Sequence, residues 1–334
     1  MTHLSSPQSA PRARPLKRVR RAIVDAIIAP LAFPAGALLR RARRAWPHMP
    51  LTRKVLRLVG VFPLRQHFYE PVVFAEDLRR PLTQERSIPG LDLNAAGQLA
   101  LLAEFSYAEE LAQIPLGGER KAATPAFFYQ NGSFEGADAG MLYNMIRRTK
   151  PKRLIEIGGG YSTLMARLAI SRNQADDPRY TCRHICVEPY LQPWLEQIGA
   201  EIVRQRVELC DLSLFDELAS GDILFVDSSH VIRPQGDVLY EVLEVFGRLK
   251  PGVCVHIHDI FTPRDYIAEW VLSDQRFWNE QYLVEAFLAF NPRFEIIAAL
   301  NYLSHNHPDK LLAACPVPGS GKNAEPRSLW IRSV

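Results

Sequence analysis

The chain has 334 residues, 47% of them hydrophobic and 23% charged, with a formal net charge of +4. That length supports one large core with a small appendage, and the net charge, mild for the whole chain, is uneven, with most of the excess lying before residue 60. The five cysteines, Cys182, Cys186, Cys210, Cys254 and Cys315, lie in or near apolar runs without CxxC spacing, which reads as reduced thiols of a cytoplasmic protein.

Residues 1–20 are rich in Ser, Pro, Ala, Arg and Lys, and such composition offers little apolar surface against the entropy of ordering. The apolar stretch Ala22 to Leu39 follows, interrupted by Asp25, Pro30, Pro34 and Gly36 and bracketed by arginine pairs. A secretory leader fits poorly, because the run starts late and lacks a small-residue cleavage pattern. A spanning helix needs about 20 apolar residues and an asymmetry of basic flanks. Two readings fit better: a basic segment with Trp46 at an anionic membrane surface, extending over residues 12–57, or a basic arm packed on its own domain or on a partner subunit. Nucleic acid is not expected, since no binding module or interleaved aromatics accompany the arginines.

Residues 61–135 read as a helical cap, with one helix over Leu91 to Leu111 on the spacing of Leu93, Leu99, Leu102, Phe105 and Leu111. A second helix covers Asp138 to Thr149 and stops before Pro151. From there strand and helix signals alternate as in a parallel sheet. Strands are expected at 153–157, 183–188, 202–208, 222–227 and 253–258. Helices are expected at 162–171, 190–198, 213–219 and 236–249, with Asn173 to Arg179 as a polar loop. Phe294 to Leu300 and Ser328 to Val334 close the sheet, the last strand antiparallel. The fold class is α/β, a doubly wound, mostly parallel seven-stranded sheet. The domains divide as an arm (1–60), a cap (61–135) and a binding domain (136–334).

The first strand ends in Glu156 and turns through Gly158, Gly159 and Gly160 into a helix begun by Ser162. Glycines there allow positive φ and close backbone approach, and the helix start favours an electron-rich ligand. Glu188, one strand over, is placed to accept hydrogen bonds from two ribose hydroxyls. His256 reads as a core histidine, and His305 and His307 as loop surface.

Taken in order, Glu156-x-Gly158-Gly159-Gly160, Glu188, Phe225-Val226-Asp227-Ser228-Ser229-His230 and His256-Ile257-His258-Asp259 resemble class I S-adenosylmethionine-dependent methyltransferases. Ile155 to Thr163, His258-Asp259-Ile260-Phe261 and Phe277 to Tyr282 resemble the methyltransferase-24 family. The resemblance implies that the glycines pass beneath the methionine part of the cofactor, that Glu156 faces its amino group and that Asp211 contacts the adenine amine. It also implies a magnesium or manganese ion on Asp227 and Asp259, although Ile260 stands where a third ligand is common. Without a metal, His230 is the general base for an acceptor hydroxyl. His258, Trp278 and Tyr282, the last two one helical turn apart, are expected to line a small-molecule or glycan acceptor. A methyltransferase-like scaffold without catalysis is the rival reading. A nicotinamide oxidoreductase is disfavoured because Thr163 occupies the place of the third fingerprint glycine.

Overall fold

A computed structural model describes residues 15–118, 125–190, 193–316 and 325–334. The chain forms two compact units, Met1–Phe74 and Ala75–Val334. In the first, helix α1 (Pro15–Arg44) is followed by α2 (Pro50–Leu58). The apolar stretch with its two prolines is thus continuous helix. Of the segment expected to lack order, residues 15–20 belong to α1, and residues 1–14 lie outside the described residues.

The second unit opens with irregular chain and two short helices, α3 (Ala95–Ala103) and α4 (Ala108–Ala112), where one helix is expected. Asn94 caps α3, its side chain accepting from the Gly97 N–H at 3.3 Å, and the chain leaves the helix at Glu104. Phe105 and Tyr107 can then pack on the core. Residues 61–94 hold only a single tight turn, Ala75–Asp77, as helix, so the cap is less helical than its composition suggests.

Helix α5 (Gly136–Thr149) leads into the alternating part: β1 (Arg153–Ile157), α6 (Tyr161–Asp176), β2 (Arg183–Val187), β3 (Glu201–Val203), α7 (Ser213–Asp216), β4 (Ile223–Val226), α8 (Asp237–Tyr240) and β5 (Cys254–Ile257). Then come α9 (Glu280–Leu288), β6 (Phe294–Ala299), α10 (Leu300–Asn306), α11 (Pro308–Ala314) and β7 (Leu329–Ser333). The sheet order is β3-β2-β1-β4-β5-β7-β6. The first five strands are parallel, and β7 inserts antiparallel between β5 and β6. This is the expected doubly wound sheet, with its crossover point between β1 and β4.

Several boundaries differ for physical reasons. Asn173 belongs to α6, not to a loop: its amide donates to the Ile146 carbonyl at 2.9 Å and its oxygen accepts from Arg147. Edge strand β3 ends at Val203, because Val207 and Cys210 turn back under the sheet. The helix expected at 190–198 is a tight turn at Pro193–Gln197, with residues 191–192 outside the described set. His305 ends α10, paired with Glu325 at 2.8 Å, and His307 joins α10 to α11 rather than sitting in a long loop.

Alternation along the strands sends Leu154, Phe225 and Trp330 to one apolar layer and Ile155, Ile157, Leu224, Val226 and Ile257 to the other. Both faces are covered, as parallel sheets require. His256 lies fully buried in this core, its Nε2 2.6 Å from the Ser328 hydroxyl and its ring stacked on Trp330.

Candidate active site

The ladder extends one residue past each strand, which fixes the backbone of the polar residues at the crossover. The N–H of Asp227 donates to Ile157 O at 2.9 Å, that of His258 to Val226 O at 2.9 Å, and that of Glu188 to Val203 O at 3.0 Å. Gly158 sits between these strand ends with φ +86°, and a Cβ there would lie 2.2 Å from the Asp227 carbonyl oxygen. Only glycine lets β1 and β4 approach so closely before the chain turns. At Gly159 a Cβ would meet the Cys186 sulfur at 2.5 Å, whereas Gly160 faces open space. Thr163 Oγ1 then accepts from the Gly160 N–H at 3.0 Å and closes the start of α6. Ser162 is buried within that first turn.

A crevice beside this turn is lined by Gly158, Glu188, Val207, Glu208, Asp227 and Ser228, among others. Glu188 spans it from β2, one carboxylate oxygen accepting from Gly159 N–H at 3.0 Å and the other from Tyr190 N–H at 2.6 Å. Two residues of the expected set lie outside this crevice. Asp211 is exposed and caps the Ser213 N–H at 2.8 Å, so Glu208 and Val207 form the wall expected of it. Glu156 is fully buried beneath the turn, with Oε2 2.7 Å from His184 Nε2, and is not among the residues lining the crevice.

At the ends of β4 and β5 four ionisable groups converge. The Nε2 of His230 lies 3.3 Å from Asp227 Oδ1 and 3.5 Å from Asp259 Oδ2, while its Nδ1 lies 2.8 Å from Glu280 Oε2. His258 Nδ1 is 3.4 Å from Asp227 and 3.6 Å from Asp259, and its Nε2 is 3.9 Å from Asp138. Arg327 Nε approaches Asp259 Oδ1 at 2.5 Å. Both His230 and Asp259 take positive φ, near +60°, a conformation uncommon for residues with side chains and one that clusters at functional sites.

Electrostatics follow from this packing. Asp227 and Glu280 hold His230 well above its ordinary range despite the burial that opposes charge. His258 is likewise lifted to about 10 against burial, by Asp259, Asp227 and Asp138. The two histidines in turn keep Asp227 well below the carboxylate range, outweighing its desolvation. Burial pushes Glu280 upward, partly countered by His230. Farther in, Glu241 is raised well above its ordinary range, by desolvation first and then by Glu280 and Asp237. Its Oε2 accepts from the Ser228 hydroxyl at 3.0 Å.

Asp227, His230, His258 and Asp259, expected at adjacent strand ends, lie together in space. Glu280, Asp138 and Arg327, not among the expected site residues, join them from α9, α5 and the chain before β7. The Asn279-Glu280 pair adjoining Trp278 was the available signal: both N–H groups donate to the His230 carbonyl, at 3.0 and 3.2 Å. Trp278 precedes α9, so it and Tyr282 do not share the helical face assumed for them. Trp278 stands 4.3 Å from the His230 ring, centroid to centroid, while Tyr282 turns away to Asp265 at 3.1 Å.

Residues 155–260 match the family described as a methyltransferase domain. The match spans the glycine turn, Glu188 and the β4 and β5 ends, and stops before Glu280. An uncharacterized protein of Archaeoglobus fulgidus is 29% identical over 179 residues, covering 50% of this chain and 78% of that one. The solved O-methyltransferase of Bacillus cereus, in complex with SAH, aligns at TM-score 0.38 and 12% identity over 70% of this chain and all of that one. The O-methyltransferase TomG of Streptomyces achromogenes aligns at TM-score 0.35 and 14% identity, over 70% of this chain and 89% of that one. The doubly wound sheet thus carries, between its first strand and the end of β5, a segment that matches a methyltransferase domain.

Proposed function

We propose that the protein transfers the methyl group of S-adenosylmethionine to a hydroxyl oxygen of a small molecule or glycan. The observation that carries this reading is the His230 Nε2, held between Asp227 and Asp259 at the edge of the crevice that Asp227 shares with Gly158 and Glu188. S-adenosylmethionine supplies an electrophilic methyl on a cationic sulfur. The glycine turn gives its methionine part room at Gly160, and Glu188 retains acceptor capacity for ribose hydroxyls. Glu280 fixes the His230 ring through Nδ1, so that Nε2 is the atom that takes the acceptor proton. His230 gives up its resting proton more readily once a positive charge lies beside Asp227, because that charge offsets the carboxylates that hold the proton. Positioning and deprotonation then account for most of the rate enhancement.

A second reading rests on one further fact: Asp227, His230 and Asp259 present donor atoms within 4.8 Å of one another. That set of two carboxylates and an imidazole fits a magnesium or manganese ion. Such an ion would acidify the acceptor hydroxyl, with Asp227 and Asp259 as its holders. An ion that also takes His230 Nε2 removes it as a base, so the two routes exclude each other at that atom.

The basic first unit favours an acceptor met at an anionic membrane surface on the cytoplasmic side. The decisive experiment measures tritium transfer from methyl-labelled S-adenosylmethionine to polyol, phenolic and saccharide acceptors, with and without EDTA. Transfer that survives EDTA but is lost in folded His230→Ala supports the base route; loss in EDTA supports the ion. A protein that binds S-adenosylhomocysteine yet modifies no acceptor of any class, and whose His230 and Asp227 variants retain its cellular role, is a scaffold.

A further inference from the structure

We infer that α1 crosses a lipid bilayer and that α2 lies in the anionic headgroup layer beside it. The inference is independent of the methyltransferase reading, because it rests on the first unit alone. Residues 22–39 are eighteen in number and carry a single charge, Asp25, among apolar and small side chains. At about 1.5 Å per residue they span about 27 Å, close to the roughly 30 Å hydrocarbon thickness. Every residue from Val19 to Leu38 is exposed.

The pattern around α1 decides between lying on a membrane and crossing it. An interfacial helix needs a polar face opposite an apolar one. Here Ile23, Val24, Ile27, Ile28 and Leu31, each at least 46% exposed, share an arc of about 140° at 100° per residue, and the opposite arc holds Phe33, Ala26, Ala29, Ala32 and Gly36 with Asp25 as its one charge. A helix apolar all round belongs in a core or in a bilayer, and its own unit offers little core, since Ala42 and Pro63 are the buried apolar residues there among those described. Asp25 stands four residues after Arg21, at the end of the run where a charge can reach the interface. Pro30 and Pro34 are tolerated in spanning helices. Arg40, Arg41, Arg43 and Arg44 follow the run directly, and Trp46 stands at the boundary where indoles concentrate.

Helix α2 has the other pattern. Leu51, Val55 and Leu58 share one face and are 78%, 59% and 78% exposed, while Arg53, Lys54 and Arg57 flank or oppose it. Three cations beside an apolar stripe complement a surface of anionic headgroups.

The test uses the full chain. Membranes from cells producing it are washed at alkaline pH in carbonate, and the purified protein is floated with vesicles of phosphatidylcholine alone or with phosphatidylglycerol added. The expected result is a protein that stays with the membrane through the wash. Ile27→Lys/Leu31→Lys should release it, while Arg53→Glu/Lys54→Glu/Arg57→Glu should stay anchored but lose a several-fold preference for the anionic vesicles. Release of the unaltered protein by carbonate overturns the span whatever the variants do. So does a lipid-free oligomer in which further copies cover α1. An unchanged vesicle preference in the triple variant removes α2 from the headgroup layer.

Discussion

At Gly158 a Cβ would lie 2.2 Å from the Asp227 carbonyl oxygen, and the backbone holds φ +86°. Gly158→Ala therefore meets both a positive-φ penalty and a clash with backbone that cannot swing aside. We expect a loss of about 2 kcal/mol or more in unfolding free energy. Gly160→Ala meets neither: φ is −179°, and nothing lies within 4 Å. It should leave thermal unfolding unchanged and weaken only S-adenosylhomocysteine binding by calorimetry. Equal affinity in Gly160→Ala would show that the cofactor does not pass there. The His230–Glu280 pair gives a second residue-scale prediction. Glu280→Gln removes a negative charge from the imidazole, so the His230 pKa falls and the acid limb of the kcat/KM profile moves to lower pH. A fixed limb would exclude His230 as the titrating base. His258 bears on stability instead. Its folded value near 10 exceeds the ordinary 6.5, so its contribution is complete below pH 6.5 and is lost as pH rises through about 10. In denaturant titrations the advantage of the unaltered protein over His258→Gln should shrink across that interval, by a few kcal/mol at most given about 1.4 kcal/mol per unit.

Among the elements, Asp222 just before β4 shows how the sheet is aligned at its far end. Its buried carboxylate accepts from the Arg153 N–H at 2.8 Å and the Ala219 N–H at 3.0 Å, and so ties the start of β1 to the turn entering β4. Asp222→Ala leaves both donors unsatisfied and should cost about 1–3 kcal/mol in chemical denaturation. Asp222→Asn, which keeps an acceptor, should lose less. Core strands β1, β4 and β5 were legible in the sequence because parallel strands covered on both faces read as unbroken apolar runs. The polar residues that follow β2, β4 and β5 were legible too: Glu188, Asp227 and His258 mark where each run stops. The single helix expected over 91–111 failed because its spacing was apolar enough, while the cap at Asn94 depends on a contact with β6, Asn94 Nδ2 to Ile296 O at 3.0 Å. Glu280, Asp138 and Arg327 were illegible because their places at the site come from elements far apart in sequence. The buried partner of Glu156 was not legible either. A strand-end acid next to a glycine turn suggests a ligand contact, yet pleat alternation turns it inward onto His184.

For the whole molecule, the two units differ in how they are held together. The two large apolar clusters draw all of their members from residue 91 onward, and the boundary between the units falls at Phe74. Most of the exposed large apolar side chains among the described residues precede that boundary, so the first unit contributes exposed apolar surface rather than core. The chain beginning at Ala75 should accordingly fold alone, since its sheet, both covering layers and the whole histidine–carboxylate cluster are internal to it. We expect it to unfold in one cooperative transition, with S-adenosylhomocysteine affinity within a factor of two of the full chain. It should also remain in the soluble fraction where the full chain does not. Its failure to fold would mean that the first unit supplies stabilising contacts to the second. Normal folding and cofactor binding with lost methylation of a lipid-linked acceptor, but retained methylation of its water-soluble analogue, would assign the first unit to acceptor access alone.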